Sequence, residues 1–79
     1  MDQNYISRTA QILASKRKEL GLTQMTVASE IGVPTRVYQR FEYGERKVET
    51  CSLRLGLKLC AILHLDPYEL ISHEESLHY

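Results

Sequence analysis

Two arginines four residues apart, Arg36 and Arg40, stand in a short segment bounded by Pro34 and Gly44. A guanidinium is planar, permanently charged and forked. It can grip a phosphate or the O6/N7 edge of a guanine with two parallel donors. Thr35, Val37 and Gln39 interleave with them, and Tyr43, Arg46 and Lys47 follow closely. On a helix, residues four apart share one face. Taken as residue types alone, this set suits either a solvated charged face or a surface for a polyanion.

Other constellations lead nowhere. His73 and His78 with Glu74 and Glu75 have the composition of a metal site. Helical zinc motifs need histidines at i and i+4, and these two are one residue too far apart. No metal and no cofactor are expected. Cys51 and Cys60 match no zinc or redox spacing. If both lie on one helix, a disulfide across nine residues is geometrically hard, so both are expected as reduced thiols. Cys51 could serve as a redox handle, but a plain small residue near a helix start is the simpler reading. There is no Ser–His–Asp arrangement, no phosphate-cradling Gly loop and no pair of carboxylates in a pocket. The chain does not read as an enzyme.

Seventy-nine residues set the scale of what must position these groups. They suit one domain spanning 1–79, with a core over about 6–72 and a fraying tail at 73–79. A chain this short buries only about 60% of its unfolded surface, which favours a compact helical design over one with a large cleft. Lysines and arginines number ten, as do aspartates and glutamates. Zero net charge argues against a general polyanion binder. The distribution is uneven: all ten basic residues lie in 1–58 against six acids, and the last 21 residues carry four acids and no Lys or Arg. That split permits a basic nucleic-acid face on the body of the chain. Met1-Asp2-Gln3-Asn4 is too polar for a signal peptide, and the longest apolar run, Leu59 to Leu63, is far below the ~20 residues of a membrane span. A cytoplasmic protein with no membrane contact is expected.

Ile6, Ala10, Leu13, Arg17 and Leu20 recur at helical steps, and Gly21 ends that helix. Arg17 falls on its apolar face and therefore needs a partner. Thr23 can cap a second helix that buries Val27, Ala28 and Ile31 and stops at Gly32. Val33-Pro34-Thr35 is a turn and restart, and a third helix carries Val37, Tyr38 and Phe41 to Gly44. Residues 45–50 read as a charged loop. Leu53, Leu55, Leu57 and Leu59 alternate like a strand, yet the run continues through Ile62 and Leu63 with few β-branched residues, so a fourth helix is expected. Its two apolar faces suggest burial on more than one side. Asp66-Pro67-Tyr68-Glu69 is a helix start, with Asp66 as cap, Pro67 at the first position and Glu69 placed to reach back. A short fifth helix follows to about Ser72.

Certain segments of this pattern are distinctive in register: Ser15-Lys16-Arg17-Lys18-Glu19-Leu20-Gly21-Leu22-Thr23-Gln24, then Val27-Ala28, Ile31-Gly32-Val33 and Phe41-Glu42-Tyr43-Gly44. Leu63-His64-Leu65-Asp66-Pro67-Tyr68-Glu69-Leu70 closes it. The chain resembles the phage repressor/Cro (XRE-type) helix-turn-helix family over about residues 6 to 71. The resemblance implies an all-α, compact five-helix bundle, lambda-repressor-like, whose third helix enters the major groove of double-stranded DNA. It places Thr35, Arg36, Val37, Gln39 and Arg40 at base edges, with Val37 suited to a thymine methyl. It places Gln24, Tyr43, Arg46 and Lys47 at the backbone, where contacts set affinity and register rather than sequence preference. It pairs Arg17 with Glu42 as a structural link between helix 1 and helix 3. Tyr38 departs from the small aliphatic residue usual at its position, so its hydroxyl needs a partner. Pro34 stands where a Ser or Thr cap is common, and Glu45 where a basic residue is common. The segment between Gly44 and helix 4 is longer than in the short phage repressors.

The resemblance also implies a homodimer, here through Leu63, Leu65, Pro67, Tyr68 and Ile71; the alternative is that these residues complete the core of the single chain. A two-fold pair sets its recognition helices one DNA turn apart, ~34 Å, and so reads a near-palindromic operator. With no sensing or activating module visible, repression by steric block is the expected mechanism. Phage, restriction–modification and antitoxin settings fit equally. The other reading is an antitoxin-type or scaffold protein-interaction module on the same fold, with a toxin or polymerase as partner.

Overall fold

The computed structural model describes residues 8–70. Ile6, Ile71, Ser72 and the His73–His78 cluster lie outside the described residues. Four α-helices follow in order: α1 (Arg8–Glu19), α2 (Gln24–Ile31), α3 (Thr35–Glu42) and α4 (Leu53–Leu63). A 3₁₀ turn (Val48–Thr50) sits between α3 and α4, and residues 67–70 are helical again. There is no strand among the described residues. The fold is the expected all-helical bundle.

The helix boundaries have local causes. Thr23 Oγ1 accepts from the Thr26 amide at 3.0 Å and caps α2. Gly32 stops α2 with φ of 82°, a left-handed conformation that a Cβ would oppose. The Val33 amide then bonds Ala28 O and the Gly32 amide bonds Ser29 O, closing the end of the helix. The connection to α3 is thereby held tight. Pro34 occupies the cap position of α3 without a side-chain bond, and its carbonyl accepts from Val37 and Tyr38. Ser52 Oγ accepts from the Leu55 amide at 3.1 Å and starts α4. Asp66 Oδ1 accepts from the Tyr68 amide at 3.0 Å and starts the last segment.

α2 packs against α3 and α4, and α1 against α3 and α4. The core between them holds Leu13, Val27, Ile31, Tyr38, Phe41 and Leu59. The final segment is tied back by Leu70, which is buried, and by Thr9 Oγ1 donating to Leu70 O at 3.0 Å.

Three expectations are corrected by this packing. Residues 45–50 are not simply a charged loop, because Val48 turns inward on the 3₁₀ turn and joins the core. Cys51 precedes α4 rather than lying on it; both cysteines are thiols, Cys60 buried and Cys51 half-buried. Burial, followed by the nearby Asp66 carboxylate, pushes the Cys60 thiol up, which makes it a poor nucleophile. Leu63 and Leu65, expected on a dimer surface, belong to the protomer's own core; Leu63 is 0% exposed. Leu59 and Leu63, four residues apart, both face the bundle.

Candidate nucleic-acid interface

α3 is eight residues long, too short to hold together in water alone. It is fixed through its buried side, where Tyr38, Phe41 and Glu42 meet the other helices. Glu42 is only 6% exposed, a costly place for a carboxylate unless it is fully partnered. It is. Arg17 Nε donates to Glu42 Oε2 at 2.5 Å and Arg17 Nη2 donates to Oε1 at 3.2 Å. Tyr38 OH donates to Oε2 at 2.5 Å, and Gln24 Nε2 donates to Oε1 at 3.0 Å. A carboxylate offers about four lone-pair sites, and these four donors occupy them, two on each oxygen. The third arm of Arg17, Nη1, donates to Leu22 O at 2.9 Å.

The charges in this cluster stabilise one another. Burial pushes the Glu42 carboxyl up, but hydrogen bonds from Arg17, Tyr38 and Gln24, with the guanidinium charge, outweigh burial and hold it below its usual range. The bond to Glu42 raises the Arg17 guanidinium against the opposing effect of burial. Burial, then the neighbouring carboxylate, pushes the Tyr38 phenol up, so it stays a donor. Thus α1 and α2 both grip α3 through one anion. The substitution of a tyrosine for a small aliphatic residue is accommodated because its hydroxyl lies one helical turn from Glu42.

The opposite side of α3 is open. Arg36, Arg40 and Tyr43 are exposed at spacings of four and three, on one face. Gln39 flanks that face on the α2 side, half-buried, with its Nε2 donating to Gln24 Oε1 at 3.0 Å. Thr35 is the first residue of α3 and half-buried. Val37 is half-buried against the core, so only part of its side chain faces outward. Gln24 is the first residue of α2, beside the N-terminal end of that helix. Arg46 and Lys47 are exposed beyond α3, and the Arg46 guanidinium lies 5.6 Å from the centre of the Phe41 ring. That distance suits a cation–π contact, which steadies Arg46 near the end of α3.

The structure therefore brings Thr35, Arg36, Gln39, Arg40, Tyr43 and Gln24 to one side of the α2–α3 pair. Of the residues expected at a dimer surface, Pro67 and Tyr68 are exposed, and Leu63 and Leu65 are not. Leu53 and Leu57, on one of the two apolar faces expected of the fourth helix, are exposed, the first at 77%. Among the described residues no cluster of His, Cys, Asp or Glu could hold a metal ion, and no helix is long and apolar enough to cross a membrane.

A short helix, a tight glycine turn and a second helix with a basic outer face define a helix-turn-helix DNA-binding unit. The family model described as helix-turn-helix matches residues 13–70, and the chain belongs to the XRE-type helix-turn-helix family of DNA-binding regulators. This is a regulatory DNA-binding family, not an enzyme class. Comparison with curated proteins and with solved structures gave no match.

Proposed function

We propose that this regulator is a cytoplasmic repressor that binds a near-palindromic operator as a homodimer, with α3 in the major groove. The observation that carries this reading is the outer face of α3. Arg36 and Arg40 are exposed there on a helix whose inner face is committed to the bundle through Tyr38, Phe41 and Glu42. Four residues of helix rise about 6 Å, close to two base-pair steps. The two arginines thus suit two guanines separated by one base pair. Thr35, Val37 and Gln39 complete the base-reading set, and Gln24, Tyr43, Arg46 and Lys47 hold the phosphates on either side.

Pairing is supported by the exposed apolar side chains Leu53 and Leu57, with Pro67, around a groove that Cys60 and Leu70 also line. One eight-residue helix reads few bases, and two copies double both the bases and the phosphates engaged. An operator occupied in this way is blocked to polymerase without further machinery.

The test is selection of fragmented DNA by the purified protein beside the Arg36→Ala/Arg40→Ala variant, at two salt concentrations. The native protein should enrich a two-fold site whose half-sites lie about one helical turn apart. The variant should enrich none, and native affinity should fall steeply with salt. Indifference to both substitutions and to salt would instead favour a protein-interaction module.

A further inference from the structure

The hydrogen bonds running outward from Glu42 have a direction. An ionised carboxylate can only accept, so the Gln24 amide must turn its NH₂ group toward Glu42. That leaves the Gln24 oxygen outermost, and an oxygen can only accept. The Gln39 amide must therefore turn its own NH₂ toward Gln24. The Gln39 carbonyl oxygen, with the second hydrogen of its NH₂ beside it, is left without a bond to Gln24, on a half-exposed residue flanked by the exposed Arg36 and Arg40. Reversing either amide would set two acceptors or two donors against each other. With all four acceptor sites of Glu42 occupied, the chain of dipoles has one arrangement.

We infer that Gln39 reads DNA through its carbonyl oxygen and selects a base that offers an amino group in the major groove, adenine N6 or cytosine N4. Gln24 is then a positioning residue that fixes the polarity of Gln39, rather than only a phosphate contact. Guanine and thymine present acceptors at the corresponding edge, O6 and O4, and are repelled by the same oxygen. Arg36 and Arg40, as donors, prefer those acceptors. One helix face thus carries two readers of acceptors and one reader of donors. The inference rests on the DNA-binding reading above and adds which base stands opposite Gln39.

The experiment measures affinity by fluorescence anisotropy, at fixed salt and as a salt series. The probes are four duplexes drawn from the selected site and differing only at the base pair opposite Gln39. The proteins are native, Gln39→Ala, Gln39→Glu and Gln24→Leu, each first shown to be folded by circular dichroism. Native protein should favour the amino-bearing bases by roughly three- to tenfold, the worth of one hydrogen bond. Gln39→Ala should level the four duplexes to within about twofold. Gln39→Glu loses the donor to Gln24 Oε1 but can only accept, so it should keep the preference, tilted toward cytosine, with weaker binding overall. Gln24→Leu should level the same position while leaving the Arg36 and Arg40 positions and the salt slope unchanged. Gln39 is half-exposed and alanine suits a helix, so the Gln39 variants decide the matter even if Gln24→Leu unfolds.

The inference is overturned if Gln24→Leu weakens all four duplexes equally and leaves their ranking intact, the mark of a lost neutral phosphate contact with no part in base choice. It is also overturned if Gln39→Ala leaves every position unchanged. A native protein that selects sites through Arg36 and Arg40 but shows no Gln39-dependent position overturns this inference alone. A native protein that selects no site overturns the DNA-binding reading and this inference together.

Discussion

Replacing Arg17 with methionine should be among the most damaging single changes in the protein. The substitution keeps most of the volume and the apolar stem. It removes two donors from Glu42 and one from Leu22 O. Glu42 then keeps only the Tyr38 hydroxyl and the Gln24 amide, in a site where its side chain is 4% exposed and that of Arg17 was 12%. Removing one partner of a buried pair costs about 3–5 kcal/mol, against about 0–1 kcal/mol for an exposed pair. The whole stability of a 79-residue chain is about 4–12 kcal/mol at ~0.05–0.15 kcal/mol per residue. A loss of about 3 kcal/mol should lower Tm by roughly 12–24 °C. Without the guanidinium, Glu42 loses a hydrogen bond and an opposite charge that offset burial, so its carboxyl rises from its lowered position. The penalty of Arg17→Met should therefore be greatest at neutral pH and shrink in acid, where Glu42 takes up a proton. Urea unfolding followed by circular dichroism at several pH values measures both effects. A loss below about 1 kcal/mol at pH 7, with no pH trend, would show that the pair is as weak as a surface pair and refute the reasoning.

Three further outcomes follow from the same contacts. In the native protein, Glu42 is held below its ordinary value of 4.5, so its contribution to stability is present above that value and is lost as pH falls through the lower folded one. Urea midpoints should drop with acidification, and Glu42→Gln, though less stable at pH 7, should show a flatter profile. Ser52→Ala removes the bond to the Leu55 amide and should cost about 1 kcal/mol in urea unfolding, without altering the base preferences of the outer α3 face. The triple variant Arg17→Met/Tyr38→Phe/Glu42→Leu replaces the buried polar cluster with apolar groups. It should be more stable than Arg17→Met alone in the same assay.

The elements were legible because their signals are local. Thr23, Gly32, Pro34 and Asp66 mark helix ends by backbone chemistry, and the apolar steps of α1 to α3 give their buried sides. The leucines of α4 alternate like a strand, and length with composition resolved them correctly as a helix. What could not be read was three-dimensional choice among similar residues. Leucines stand at positions 53, 55, 57, 59, 63 and 65, and nothing in residue type says that Leu63 enters the core while Leu53 stays outside. Val48, amid charged neighbours, was hidden because a single apolar residue has no period. The Arg17–Glu42 proximity was implied by resemblance. That Tyr38 and Gln24 share the same carboxylate depends on how α1, α2 and α3 cross, which no spacing encodes.

That shared carboxylate explains why a costly polar centre suits so small a bundle. An apolar cluster at the α1–α2–α3 junction would hold α3 in place at least as well, since buried ion pairs are rarely superior to packed hydrocarbon. It would not orient anything. Glu42 is acceptor-only and saturated, so every group attached to it has a fixed polarity, and through Gln24 that polarity reaches Gln39 on the outer side of α3. Methionine, phenylalanine and leucine at positions 17, 38 and 42 would leave the Gln24 and Gln39 amides free to reverse together. The stabilised triple variant should therefore keep the outward Arg36 and Arg40 while losing the directional contact beside them. On the proposed reading, the anchor of α3 and the orientation of Gln39 depend on the same two oxygens. Stability and discrimination can then be separated only by removing the anion.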